Sequence, residues 1–234
     1  MDWFTSDLHL GHELCRETRG FKTLDEMKEK IYSMFDVVNK GDRVFILGDI
    51  AWDLENAQEL INYLIMKKKV SDLFIIEGNH DVTRWMGKIK VHPRLHVYQT
   101  MYVKSQKGLG YNSLFLSHYP HIVYNKSHHG TYMLHGHGHV DTTDRPILDS
   151  LVFGKRLNVC CEFYNFKLLS RQDIEDMMKE KPYNIDYILL HGNDSQKQIV
   201  EKTLVKINKL LEDMNSRVMV NGEIKERQIY IEQR

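Results

Sequence analysis

Cysteine is scarce in this chain of 234 residues: Cys15, Cys160 and Cys161 are the only three, and no CxxC pair occurs. Their odd number, and an adjacent pair whose side chains would leave a strand on opposite faces, argue against a disulfide framework or a thiolate zinc site. Neither sign of charge predominates. Lys plus Arg and Asp plus Glu both total 32, a formal net charge of zero, so no global field draws the protein to nucleic acid or to an acidic membrane surface. Any anion binding has to be local. No apolar run approaches the roughly 18 residues of a membrane span, and the opening MDWFTSDLHLGH carries neither a basic nor an apolar leader region. The expectation is a cytoplasmic protein without membrane association. Internal repeats, low-complexity tracts and linkers rich in Gly, Ser and Pro are also absent.

What remains is an ordinary folded composition, 42% hydrophobic and 27% charged, in a chain long enough to bury its own core. Three short apolar runs, WFTSD (3–7), RVFILGD (43–49) and LFIIEGNHD (73–81), read as strands that end in polar, chemically useful residues. Between them, residues 23–41 read as a helix with a Thr23/Glu26 capping box and a Gly41 stop, and 53–69 as a second helix capped by Asp53. Alternating strands and helices predict right-handed crossovers and a parallel sheet, with ligands bound outside the carboxyl ends of its strands.

From about residue 95 the texture changes to β-type runs without long helices, LHVYQTMYVK, YNSLFLSHY, TYMLHGH and RLNVCCEFYNF, which predict a second sheet packed on the first. Ser170 then caps a short helix that Pro182 ends. Residues 1–182 are expected to form the main domain. Residues 183–234 are expected to form an appendage: a strand in IDYILLHG, an amphipathic helix over 195–215 and a hairpin around Asn221–Gly222. That helix either covers the main domain or makes a homodimer contact.

Histidine, by contrast, is abundant at 13 residues, and several sit just past the apolar runs. The strand ends deliver Asp7-x-His9, Gly48-Asp49 and Gly78-Asn79-His80-Asp81, followed by His118 in LSHYP and by His137 and His139 in GHGH. Side chains two apart in an extended segment leave on the same side, so Asp7 and His9 could meet one ion, and His137 and His139 repeat that spacing. Imidazole, carboxylate and amide oxygen suit manganese, iron, zinc or nickel better than calcium.

The ordered set DxH, GD, GNHD, lone His and GHxH resembles that of the calcineurin-like metallophosphoesterases. FTSDLHLGH, LSHYP, HGHGH and NVCCEFYNF look closest to the small bacterial and phage phosphoesterases of that family, over about residues 2–180. The resemblance implies an α/β fold, a four-layer α/β/β/α sandwich, and a site for two divalent metal ions, manganese foremost. It implies that Asp7, His9, Asp49 and His139 hold one ion, and that a bridging Asp49 with Asn79, His118 and His137 holds the other. It gives His80 the contact with the phosphate and the leaving oxygen, with Asp81 orienting His80. Two such ions bring about +4 against about −2 from Asp7 and Asp49, a trap for phosphate. The implied reaction is direct attack of metal-bound hydroxide on phosphorus.

His12, Arg16, Arg19 and Arg84 follow the first and third motifs and could reach a substrate phosphate; His12 and Arg84 are the candidates for substrate binding, and pairing with surface acids is the alternative. Trp52 could stack on a base or pack at the rim, and residues 124–130 (YNKSHHG) could form one wall of the cleft. His135 is expected to be a hydrogen-bonded strand histidine and not a ligand. The expected activity is hydrolysis of a small or nucleotide-like phosphodiester. A phosphomonoesterase acting on protein or nucleic-acid ends, and a non-catalytic binding module, are the rivals. A neutral chain without a long basic face makes duplex nucleic acid a poor substrate.

Overall fold

The parallel strands form where the sequence alternates between two apolar sets, because successive side chains of a strand point to opposite faces and both faces are covered. The computed structural model describes residues 1–105, 107–139, 154–215, 218–220 and 223–225. Strands β1 (Asp2–Thr5), β2 (Arg43–Leu47), β3 (Asp72–Ile76) and β4 (Leu95–Tyr98) pair in parallel in the order β4-β3-β2-β1. They are linked through helices α1 (Glu13–Thr18), α2 (Leu24–Met34), α3 (Leu54–Asn62) and α4 (Asn79–Arg84). A second sheet has the order β5 (Thr100–Val103), β6 (Leu114–Ser117), β7 (Tyr132–His135) and β8 (Arg156–Asn158); β5 is antiparallel to β6, and β6, β7 and β8 are parallel.

Val44, Ile46, Leu73 and Ile75 face α2 and α3 in one core, whereas Phe4, Phe45, Leu47, Phe74 and Ile76 face Leu114, Leu116, Leu134 and Leu157 of the second sheet in another. In register across four strands, Phe4, Phe45, Phe74 and His96 stack with ring centroids 4.8, 4.6 and 4.9 Å apart. This aromatic ladder is a large share of what joins the sheets, each buried Phe being worth roughly 1.5–3 kcal/mol. On the far side of the second sheet, Phe115 stacks on Tyr124, so the outer cover there begins with the loop leading to residue 131. The result is a pair of sheets flanked by helices.

Three expectations are corrected. β4, expected in the second sheet, extends the first, and β9 (Leu169–Ser170) adds antiparallel to the opposite edge at β1. Residues 53–69 do not form one regular helix: α3 passes into a π-helical turn at Tyr63–Lys67, with Lys68 N–H donating to the Tyr63 carbonyl. IDYILLHG is a helix, α6 (Ile185–His191), following α5 (Arg171–Lys179). A short apolar run does not separate helix from strand by periodicity, and of α6 only Ile188 is buried. Asn184, just before α6, is fully buried and accepts the Lys155 backbone N–H while donating to the Tyr124 hydroxyl, which seats this stretch against the second sheet's end.

Thr23 caps α2 by accepting Glu26 N–H, although Glu26 reaches back to Lys22 N–H and not to Thr23. Ser170 and Asp173 exchange both bonds of a capping box at α5. The long helix α7 (Asp194–Asn215) and the antiparallel strands β10 (Val218–Val220) and β11 (Glu223–Lys225) follow. The expected turn residues Asn221 and Gly222 lie outside the described residues. Among the described residues no helix is long and apolar enough to cross a membrane. All three cysteines are free thiols.

Candidate metal centre

The carboxyl ends of β1, β2 and β3 meet those of β6 and β7 through turns that leave regular β geometry. Asp7, His9, Asp49 and His137 all adopt positive φ, 57°, 51°, 53° and 68°. Non-glycine residues are uncommon there, and such conformations persist only where surrounding bonds hold them. Same-side projection from an extended segment is therefore not how Asp7 and His9 come together; two left-handed residues, with Leu8 between them, curl the loop onto the site.

The bonds that hold these turns are specific. Asp7 N–H donates to the Gly48 carbonyl at 3.0 Å and His9 N–H to the Asp49 carbonyl at 2.9 Å, lacing the first loop to the second. His137 N–H donates to both oxygens of Asp7 at 3.1 Å. Asp81, expected to orient His80, instead accepts the backbone N–H groups of Asp49 at 2.7 Å, Ile50 at 2.9 Å and Gly78 at 3.0 Å, locking the second and third loops. Gly78 packs so tightly on Asp49 that a methyl group there would overlap its carboxylate.

Among the described residues donor atoms converge in five overlapping groups, two of which hold the expected ligands. Ligand atoms of Asp7, His9 and His139 lie within 4.8 Å of one another, as do those of Asp49, His118 and His137. In the first set, Nε2 of His9 and of His139 are 3.0 Å apart and His139 Nε2 is 3.6 Å from Asp7 Oδ1. In the second, His118 Nε2 is 3.2 Å from Asn79 Oδ1. Asp49 Oδ2 lies between the sets, 3.7 Å from His9 Nε2, 3.5 Å from His118 Nε2 and 4.0 Å from His80 Nε2, while its Oδ1 accepts His80 N–H at 3.0 Å.

The donor set fits divalent cations. Asp7, His9, Asp49 and His118 are almost fully buried, and buried His9 Nδ1 has no hydrogen-bond partner. Burial, reinforced by the neighbouring His139 and Arg19, holds the His9 imidazole down at about 2, so the ring is neutral, the state a ligand needs. Burial raises the Asp7 carboxyl above the usual range. Buried Asp7 and Asp49 beside the neutral His9 ring bring oxygen and nitrogen donors together in a hollow that cations would fill. His139 behaves differently: bonds to the Cys160 sulfur, at 4.0 Å, and to the Glu162 carboxylate, at 3.0 Å, hold it up at about 10. The shorter carboxylate contact is the stronger of the two on geometry.

Two residues whose roles were not legible in the sequence support this set. Arg19, expected to reach a substrate phosphate or to pair with a surface acid, has a buried side chain that donates to the Asp7 carbonyl at 2.6 Å, the Leu8 carbonyl at 2.7 Å and Glu162 Oε1 at 2.6 Å. Glu162 lies 143 residues later and carries no motif spacing that would pair it with Arg19. Tyr119, beside His118, also approaches edge-on to the His137 ring at 4.8 Å.

At the rim, His12 lies 3.8 Å from Trp52 and Arg84 lies 3.2 Å over the same ring. His80 is 5.3 Å from Trp52 and 5.3 Å from His9. With both groups against one indole, Trp52 is no free platform for a base. His135 is buried with Nδ1 3.0 Å from the Gly136 carbonyl and belongs to neither donor set. His128 and His129 precede the amino end of β7, whereas the donor sets lie beyond its carboxyl end, so they do not wall the site.

The profile of the calcineurin-like phosphoesterase family matches residues 3–192, and the chain belongs to that family. It is a metal-dependent phosphoesterase. It is 26% identical over 199 residues to the Gene 66 protein of Mycobacterium phage L5, covering 75% of this chain and 93% of the phage protein. A probable cyclic nucleotide phosphodiesterase of Coxiella burnetii is 36% identical over 85 residues, 36% of this chain and 33% of that protein. The crystal structure of a protein of unknown function from Aquifex aeolicus superposes with a TM-score of 0.52 at 20% identity, over 76% of this chain and 98% of that one, a likeness of fold.

Proposed function

We propose that the protein is a dinuclear-metal phosphodiesterase acting on a small or nucleotide-like phosphodiester. The observation that carries this reading is the position of Asp49 Oδ2, 3.5–4.0 Å from the imidazoles of His9, His118 and His80. A carboxylate oxygen with nitrogen donors on either side fits a ligand shared between two cations, and a third imidazole faces the same space. Asp7, His9, Asp49 and His139 would hold one ion, and Asp49, Asn79, His118 and His137 the other, with manganese the first choice and iron, zinc or nickel fitting the same donors. Such ions supply neutralisation of phosphoryl oxygens and acidification of water.

The chain's own residues do the rest. His80 enters the site from the first turn of α4 with its side chain 31% exposed, so it can meet both substrate and solvent. Its role is to donate a proton from Nε2 to the departing ester oxygen. Arg19 and Asp81 hold the three ligand loops, and His12 and Arg84 line the rim where the substituents of a diester would extend. The complete donor set, with His80, weighs against a non-catalytic binding module. Similarity over 85 residues to a probable cyclic nucleotide phosphodiesterase of Coxiella burnetii supports a diester substrate.

The test is turnover of 4-nitrophenyl phosphate against bis(4-nitrophenyl) phosphate by manganese-loaded protein, followed by a panel of cyclic nucleotides and dinucleotides. A diester preference in kcat/KM is expected. A monoester preference would replace this reading with a phosphatase, and no turnover with any divalent ion would remove the enzymatic one.

A further inference from the structure

At the rim lies a cation, Arg84, that no carboxylate among the described residues neutralises. Arg84 closes α4 four residues after His80, so the two side chains share one face of the helix a single turn apart. Its guanidinium carbon lies 3.2 Å from the centre of the Trp52 ring, and the His12 ring meets the same indole edge-on at 3.8 Å. Trp52 is itself held by its backbone N–H, which donates to the Leu10 carbonyl at 2.8 Å. Arg84 is exposed, and among the described residues no carboxylate pairs with it.

Stacking fixes the plane of a guanidinium without using its N–H groups, which point outward along its edges. An exposed arginine usually gives up much side-chain freedom when it binds an anion; this one has already given up most of it. Trp52 touches both Arg84 and His12, and His12 is the rim residue beside His9. Arg84 is thus one step outside the donor sets, facing what extends beyond the reacting phosphoryl group.

We propose that Arg84, held on Trp52, forms a subsite for a second anionic group of the substrate. The enzyme therefore selects phosphodiesters that carry another phosphate or a carboxylate beyond the scissile ester over those with a neutral group there. This rests on the phosphodiesterase reading above. In a chain of zero net charge, such a local cation is the means by which a doubly anionic substrate is distinguished from a singly anionic one.

The test compares three dinucleotides with one scissile ester, adenylyl-(3′,5′)-adenosine with no terminal phosphate, with a 5′-phosphate and with a 3′-phosphate, using the full chain loaded with manganese. One phosphorylated form is expected to be preferred by about tenfold or more in kcat/KM, through KM. Arg84→Ala should bring that ratio close to one, and Arg84→Lys, which keeps the charge but loses the planar guanidinium, should restore it only in part. Equal kcat/KM for all three with wild-type protein, or a preference that survives Arg84→Ala, overturns the proposal. Calorimetric binding of the same dinucleotides to metal-loaded His80→Ala protein separates the two readings. If none is turned over by the wild type, the diesterase reading fails. Arg84-dependent tighter binding of a phosphorylated form would still support the subsite, and equal binding would overturn it.

Discussion

Nδ1 of His139 stands 3.0 Å from Oε1 of Glu162, and the same oxygen accepts Nε of Arg19 at 2.6 Å. A carboxylate behind a metal-binding imidazole fixes its tautomer and raises its basicity, and a cation behind the carboxylate holds it in place. The chain Arg19, Glu162, His139 thus joins the loop after β1 to the turn after β8 and aims one ring at Asp7.

Glu162→Gln keeps the shape of this chain and removes its charge. Metal affinity of the Asp7/His9/His139 set should fall about 10–100-fold, while the set built on His118 and His137 is little affected. Titration of metal-free protein with manganese, followed by calorimetry, should show one of two binding steps weakened. Two unchanged steps would mean that His139 does not need its carboxylate.

Arg19→Met leaves two buried carbonyls and a partly buried carboxylate without their donor. Loss of one member of a buried ion pair costs about 3–5 kcal/mol, and urea unfolding of the metal-free protein should fall by that amount. A change within about 0.5 kcal/mol, the size of an ordinary surface substitution, would contradict the arrangement.

His80 and Asp49 should separate chemistry from metal binding. His80→Ala should retain the metal content of the wild type and lose about 10²–10⁴-fold in kcat, the range for a positioned general acid. Asp49→Asn, which removes charge from the oxygen between both sets, should lose metal and activity together. Metal analysis after gel filtration, beside kcat, distinguishes them; full activity in His80→Ala would end its assigned role.

His135 should make the metal-free protein acid-sensitive. Burial, against the opposing bond to the Gly136 carbonyl, holds it down at about 4, below the ordinary 6.5. Between those values the unfolded chain binds the proton and the folded one does not, so stability is complete above about pH 6.5 and is lost as pH falls toward 4. From pH 7 to 4.5 the wild type should lose about 2–3 kcal/mol more than His135→Gln in urea unfolding. Parallel curves would show that His135 takes up its proton equally in the folded and unfolded states.

The sequence by itself determined the alternating strands, their polar ends and the order of DxH, GD, GNHD, His and GHxH. Local periodicity and capping write these directly into neighbouring residues. It placed the caps at Thr23 and Ser170 for the same reason. It could not determine the sheet that β4 joins, because a short β run carries no mark of its partner, nor the helical state of residues 185–191, where one buried Ile188 outweighs a strand-like composition.

Only tertiary structure decided how the ligands converge. Asp7, His9, Asp49 and His137 need left-handed backbone, and that conformation is held from a distance by Arg19, Asp81 and the lacing of one loop to the next. Residues such as Arg19 and Glu162, 143 positions apart, have no spacing to read; their meaning exists only once the two sheets bring the loops into contact.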